Sequence, residues 1–171
     1  MKASKVISLS AVSTALATIC LVLGSAIDLF SLSCLFMASL ALMLPIAKGY
    51  KIGGFLAYIA SGILTMVFIG IIPQVLIPYA MFFGLHPLVN HFQKQLKVHV
   101  IVATLIKAVW FIGTLYVMYF ATKMFIAPHP LIEKYIHYVL IIGGALGFVV
   151  YDSLMVRFQK SINAIVYRLK L

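Results

Sequence analysis

The stretch VIVATLIKAVWFIG, from Val100 to Gly113, contains one charged residue, Lys107, in an apolar run. Such a run predicts a helix that crosses a lipid bilayer, since about 20 apolar residues span the hydrocarbon. If the helix starts at Val98, Lys107 lies roughly 13 Å along it, at about 1.5 Å per residue. An ammonium group at that depth is costly unless a partner offsets it. Lys107 is therefore predicted to face the interior of a helix bundle.

The composition extends this conclusion to the whole chain. Hydrophobic residues make up 64% of the 171 residues and charged residues only 9%, whereas soluble domains are about half apolar. No polar stretch is long enough to form a separate soluble domain. The sequence therefore predicts an all-α polytopic membrane protein with a single transmembrane domain over residues 1–171.

Basic, proline and glycine clusters divide the apolar sequence into six predicted spans. These are residues 6–27, 29–47, 52–72, 75–90, 98–121 and 135–156. The fourth span is short and contains Pro78 and Pro87, so a kinked, a broken and a partly re-entrant helix all fit it. Interrupted helices are tolerated where protein or a cavity satisfies the freed carbonyl groups.

The basic residues predict the orientation of these spans. Ten of the 13 lysines and arginines fall on one side: Lys2, Lys5, Lys48, Lys51, Lys94, Lys97, Arg157, Lys160, Arg168 and Lys170. Lys123 and Lys134 fall on the other side, together with Asp28 and Glu133. By the positive-inside rule both termini are cytoplasmic. Contact with anionic lipid then explains the net charge of +10 without a nucleic acid partner.

The C-terminal segment RFQKSINAIVYRLKL, residues 157–171, spaces its apolar residues at helical intervals. It either extends the sixth helix or lies along the membrane surface. In both cases it is expected to anchor the protein or to dock a partner.

No sequence motif indicates catalysis. The chain has no phosphate-binding glycine loop, zinc-protease motif or nucleophile elbow. Three of the five histidines, His86, His91 and His99, are assigned to the cytoplasmic end, whereas His129 and His137 are assigned to the outer end. We therefore expect no enzyme, no cofactor and no metal.

Small residues at four-residue spacing predict close helix packing. In the third and sixth spans they are expected to lie inside the bundle: Gly53, Ala57 and Ser61, and Gly143 and Gly147. In the first span, Ala11 and Ala15 form a small face. The bulky residues of that span are expected to fill the core instead: Leu9, Leu16, Ile19 and Leu23. The small face is then free for another protein.

Six short helices, cytoplasmic termini, a basic start and the Ala11-x-x-x-Ala15 motif resemble the membrane-embedded substrate-binding S components of energy-coupling factor (ECF) transporters. The resemblance implies a multi-pass protein of the bacterial cell membrane that binds a small micronutrient, aromatic or vitamin-like. It also implies that Ala11 and Ala15 dock against a transmembrane coupling subunit. Two cytoplasmic ATPases then complete the importer. The segments 36–66 and 79–89 also resemble uncharacterised Gram-positive membrane proteins of similar size, which share the fold without a demonstrated transport role.

The resemblance places the ligand in the outer half of the bundle. Six residues are the candidates for binding it: Tyr79, Phe83, Lys107, Trp110, Thr114 and Tyr138. Aromatic rings at these positions either stack on a flat ligand or form an interfacial belt, since Tyr and Trp favour headgroup depth. The competing function is a structural or assembly protein of the cell envelope, similar to the rod-shape-determining membrane protein D family.

Three interpretations of Lys107 follow. The first is a structural ion pair with Asp152, near the inner end of the sixth span. The second is a lysine that extends to the interface without a partner. The third is a direct contact with an anionic group of the ligand.

Overall fold

A computed structural model describes residues 2–123 and 130–168, all of whose regular elements are helices. The helices are α1 (Lys2–Ala26), α2 (Ser31–Ala47), α3 (Lys51–Ile69), α4 (Pro73–Pro78), α5 (His86–Gln95), α6 (Val100–Lys123), α7 (Pro130–Tyr138) and α8 (Gly144–Arg168). A 3₁₀ turn, Asp28–Phe30, precedes α2. Two π-helical turns, Tyr79–Phe83 and Val139–Gly143, join α4 to α5 and α7 to α8. His129 and Lys170, which the predictions above include, lie outside the described residues.

Six helical segments of the described chain are long and apolar enough to cross a membrane: Ser4–Ala26, Asp28–Ala47, Lys51–Ile69, Pro73–Gln95, Val100–Lys123 and Glu133–Arg168. The predicted all-α class is confirmed for the described residues, and so is the presence of six helices long and apolar enough to cross a membrane. The fourth and sixth segments are longer than predicted, because the fourth continues to Gln95 and the sixth continues to Arg168, beyond the predicted ends at residues 90 and 156.

Helix α1 packs on α2 and α3 through small side chains. Ser13 is fully buried and donates a hydrogen bond of 2.8 Å to the Ala41 carbonyl of α2. Gly53 of α3 lies so close to Ser10 that an added Cβ would come within 2.5 Å of its Oγ. Backbones approach this closely only where both helices present small residues.

The prediction that bulky residues of α1 fill the core is wrong for three of the four. Leu9 is buried, but Leu16, Ile19 and Leu23 are exposed. Ala11 and Ala15 are exposed on the same face of the helix. The buried face instead repeats every four residues at Leu9, Ser13, Ala17 and Leu21. The small face of α1 is thus accessible, but with bulky apolar side chains beside it.

The two other small-residue motifs have different outcomes. Gly53, Ala57 and Ser61 of α3 are all buried, as predicted. Gly143 and Gly147 are exposed, and a Cβ at either would meet nothing within 4 Å. The glycine that makes a close contact is Gly144, whose added Cβ would lie 3.0 Å from Leu115 of α6.

The fourth span is interrupted by the π turn Tyr79–Phe83, and neighbouring helices satisfy its carbonyl groups. Tyr58 of α3 donates a hydrogen bond of 2.8 Å to the Ala80 carbonyl. Ser39 of α2 donates one of 2.6 Å to the Phe83 carbonyl. Two side chains from different helices thus offset the hydrogen bonds that the irregular turn loses, which is the condition for a broken helix at membrane depth.

Gly84, directly after this turn, is required by the position of Tyr58. A Cβ at residue 84 would lie 2.3 Å from Cδ2 of the Tyr58 ring and 3.0 Å from the Tyr79 carbonyl. Gly84→Ala should therefore displace the ring from the Ala80 carbonyl and lower stability by about 1 to 3 kcal/mol. Thermal unfolding in detergent measures this effect. The matched control is Gly113→Ala in α6, where a Cβ meets nothing within 4 Å; equal unfolding midpoints for the two variants would contradict the assignment.

Helix α8 continues to Arg168, which resolves the choice left open for the C-terminal segment in favour of an extension of the sixth span. Its last turns meet the basic ends of other helices. Lys94 of α5 donates a hydrogen bond of 2.7 Å to Gln159, and Lys48, after α2, lies 5.6 Å from the Tyr167 ring centre. We call this pole the basic end, and the pole that carries Asp28 and the Lys123–Glu133 ion pair the opposite end.

Candidate functional site

Four polar side chains meet in the apolar interior between α5, α6 and α8. Lys107 Nζ lies 2.8 Å from Asp152 Oδ1 and 2.9 Å from Asn90 Oδ1. His86 Nε2 lies 3.2 Å from the same oxygen of Asp152, without the alignment of a hydrogen bond. Asn90 Nδ2 lies 3.4 Å from His86 Nδ1. We call His86, Asn90, Lys107 and Asp152 the polar cluster.

The sequence places each member of the polar cluster on the inner face of its helix. His86 and Asn90 are four residues apart and so project from the same side of α5. Lys107 shares its face with the buried residues Ala103, Phe111 and Thr114 of α6. Asp152 follows the buried Tyr151 and approaches from α8. The predicted inward orientation of Lys107 is confirmed, because 5% of the residue is exposed.

The contacts of Lys107 have the geometry of the ion-pair interpretation. A lysine that extends to the interface would have an exposed ammonium group, whereas this one is bonded to a carboxylate and an amide inside the bundle. The side chains of Lys107 and Asp152 are 6% and 18% exposed, so most of the pair is shielded from solvent. Two opposite charges with a hydrogen-bonding amide beside them can hold one another in a fixed geometry.

Aromatic rings cover the polar cluster on the side of the bundle centre. Phe82 lies at the centre of this packing, with ring centres 5.0 Å from His86, 4.9 Å from Trp110 and 4.8 Å from Phe111. Tyr151 packs edge-on against His86 at 4.8 Å. These rings exclude water from one side of the ion pair and strengthen its electrostatic interaction.

His86 and Asn90 were missed as partners of Lys107 by sequence reasoning. His86 was assigned to the cytoplasmic end, but it is fully buried. The signal available in the sequence was the His86-x-x-x-Asn90 spacing, which puts two polar side chains on one face of a helix that also carries apolar Leu88 and Val89. Pro87 obscured it, because together with Pro78 it left a kinked, a broken and a partly re-entrant helix open, so that no inner face was assigned to this span.

A cavity of about 590 Å³ lies at the opposite end of the bundle. Its rim is polar, with Ser25 and Gln74 from the ends of α1 and α4, Asp28 from the 3₁₀ turn, and Ser31 from the start of α2. Its walls are apolar and include Leu35, Val75, Pro78, Phe83, Leu115 and Met118. We call it the rim cavity. Ligand sites typically measure about 300 to 1,000 Å³ and combine apolar walls with a few polar groups, which this cavity also does.

The six predicted ligand-binding residues are not gathered around one cavity. Phe83 lines the rim cavity, and Lys107 belongs to the polar cluster. Tyr79 is buried and bonded to Ser61, whereas Thr114 donates a hydrogen bond of 3.0 Å to the Trp110 carbonyl of its own helix. Trp110 packs on Phe82, and Tyr138 is 67% exposed. Of the aromatic candidates, Tyr79 and Trp110 pack against other rings, whereas Phe83 borders the rim cavity and Tyr138 lies on the surface.

A second cavity of about 500 Å³ lies between α2 and α8. Its lining is almost entirely apolar and includes Phe36, Met37, Phe83, Phe111 and Tyr151, with Ser33 at one edge. We call it the lateral cavity. It shares Leu32 and Phe83 with the rim cavity, so these two residues border both spaces.

No group of three or more His, Cys, Asp or Glu side chains within residues 2–123 and 130–168 is arranged to hold a metal ion. Comparisons with protein-family models, with curated proteins and with solved structures found no match to this chain. Inferences about function therefore depend on the polar cluster, the cavities and the exposed faces of the helices.

Proposed function

We propose that this chain is the substrate-binding membrane subunit of an ECF-type importer in the bacterial cell membrane. In this proposal the basic end faces the cytoplasm, and the rim cavity opens to the outside. The ligand is a small micronutrient that passes the polar rim and inserts its apolar part between Leu35, Val75 and Phe83. The observation that carries the proposal is the rim cavity itself, because its size and its division into polar mouth and apolar walls suit a small amphipathic molecule.

The exposed face of α1 supports the same proposal. Ala11 and Ala15 lie on the surface of the bundle rather than in its core. Small residues on a lipid-facing surface allow the backbone of another helix to approach closely. This is the surface that a transmembrane coupling subunit needs, and the two cytoplasmic ATPases would then assemble at the basic end.

The docking role of α1 gives a prediction that separates partner binding from folding. Replacing both Ala11 and Ala15 with leucine should leave the thermal unfolding midpoint unchanged, because both positions are exposed. The same variant should recover about tenfold less coupling subunit and ATPase when the tagged chain is purified from its native membranes, since bulky side chains prevent close approach.

The matched control is Ala164→Leu, which makes the same exchange at an exposed position of α8. It should leave recovery of the partners unchanged. Purification of the wild-type chain with a cell-envelope assembly protein, and without a coupling subunit or ATPases, would contradict the importer and favour the envelope alternative.

A further inference from the structure

The basic end contains a cavity of about 450 Å³ that the proposed import function does not use. It lies where the turn after α2 meets α5 and the last turns of α8. Its polar lining consists of Lys48, His91, Lys94, Gln95, Gln159, Asn163 and Tyr167. We call it the basic cavity. No carboxylate of residues 2–123 and 130–168 contributes to its lining.

The lysines at the basic cavity have neutral partners. Lys94 Nζ donates to Gln159 Oε1 at 2.7 Å, and Lys51 Nζ, beside the cavity, donates to Gln95 Oε1 at 2.6 Å. Lys48 lies over the Tyr167 ring. None of these contacts neutralises a positive charge.

No acidic side chain of the described residues is placed to neutralise these lysines. The chain contains three Asp and Glu residues in all. Asp28 lines the rim cavity, Glu133 pairs with Lys123, and Asp152 pairs with Lys107. The described part of the chain therefore places a concentrated positive charge at the basic cavity without a carboxylate partner.

The amides and the histidine of the cavity add hydrogen-bonding capacity. A lysine ammonium has only donors, so it fixes the amide oxygens of Gln95 and Gln159 toward itself and leaves their NH₂ groups free to donate. His91 Nε2 is shielded from solvent and has no hydrogen-bond partner among the described residues. Such a buried ring nitrogen is uncommon without a partner.

We propose that the basic cavity binds a phosphate group. A phosphate supplies the negative charge that the lysines lack and several acceptor oxygens for the amide and imidazole donors. The lining allows both a phosphate carried by an anionic phospholipid and a soluble phosphate, which share this chemistry. This inference does not depend on the import function.

The test measures the thermal unfolding midpoint of the purified chain in detergent against added ligand. One series adds dioleoylphosphatidylglycerol, with dioleoylphosphatidylcholine as the lipid of zero net charge. A second series adds inorganic phosphate, with chloride at the same ionic strength. Stabilisation by phosphatidylglycerol alone identifies a lipid site, and stabilisation by inorganic phosphate identifies a site for soluble phosphates.

Variants distinguish a defined site from general surface charge. Lys48→Gln and Lys94→Gln should each raise the half-saturating ligand concentration about fivefold, the usual contribution of one basic residue at an anionic surface. The control Lys160→Gln removes a charge from an exposed residue of the same end that does not line the cavity, and it should have little effect. Lys94→Arg keeps the charge and should retain binding.

Each variant is compared with its own ligand-free midpoint, so a loss of stability alone does not imitate a loss of binding. Two results would overturn the proposal. The first is no stabilisation by either phosphatidylglycerol or inorganic phosphate. The second is an equal weakening by Lys160→Gln and Lys94→Gln, which would show that the charge of the whole basic end acts without a site.

Discussion

Lys107→Met and Asp152→Leu should each reduce the free energy of unfolding by about 3 to 5 kcal/mol, because each leaves the charge of the other residue unpaired inside the bundle. In Asp152→Leu, the Lys107 ammonium would keep only its hydrogen bond to Asn90 Oδ1 and its position near His86. In Lys107→Met, the Asp152 carboxylate would keep only the 3.2 Å contact with His86 Nε2. Denaturant or thermal unfolding of the two variants in detergent measures these losses.

The double variant, Lys107→Met with Asp152→Leu, should recover much of the loss, since it removes both charges and replaces them with apolar groups. The exposed Lys123–Glu133 pair provides the matched control. Lys123→Met and Glu133→Leu should change stability little, because exposed pairs contribute little and are screened by salt. The two single variants and the double variant form a double-mutant cycle. If the losses of the two single variants add in the double variant, the result would contradict a structural ion pair.

A ligand-contacting Lys107 predicts a different pattern in the same cycle. Lys107→Met would then retain stability in the absence of ligand but lose the stabilisation that ligand provides. Adding Asp152→Leu would not restore it. The cycle measured with and without ligand therefore separates the pairing that the structure contains from a role in binding.

The spans and the inward face of α6 were predictable from sequence because each follows from hydrophobic periodicity along one helix. Lys107 lies in an apolar run with Phe111 and Thr114 on its own face, and this pattern is enough to orient it. The partner Asp152 was also predictable, because few acidic residues are present and the other two fall outside the spans. Such inferences need only the residue pattern along one helix and the distance of each residue from the ends of its span.

Features that depend on three helices at once were not predictable. Whether α1 buries its bulky or its small side depends on how closely α2 and α3 approach, and here Ser13 and Ala17 are buried while Ile19 is exposed. The π turn Tyr79–Phe83 depends on Tyr58 and Ser39, which are distant in sequence. Whether an aromatic residue such as Trp110 packs against other rings or lines a pocket also depends on neighbouring helices, because a ring in either place has the same residue type and the same depth.

Ser31→Phe should strongly reduce ligand retention by placing a large ring at the mouth of the rim cavity. Ser31 lies at the start of α2, on the polar rim with Asp28 and Gln74. A matched control is Ser33→Phe, two residues along the same helix, which lines the lateral cavity instead. Because the two cavities share only Leu32 and Phe83, the pair of variants assigns any bound molecule to one of them.

Native mass spectrometry of the chain purified from its own membranes tests the proposed binding function most directly. The proposed function predicts one small non-lipid molecule bound to the wild-type chain and to Ser33→Phe, with at least about a tenfold reduction in Ser31→Phe, equivalent to about 1.4 kcal/mol of binding free energy. A wild-type chain that carries no small molecule, or one that Ser31→Phe retains in full, would contradict a ligand site in the rim cavity.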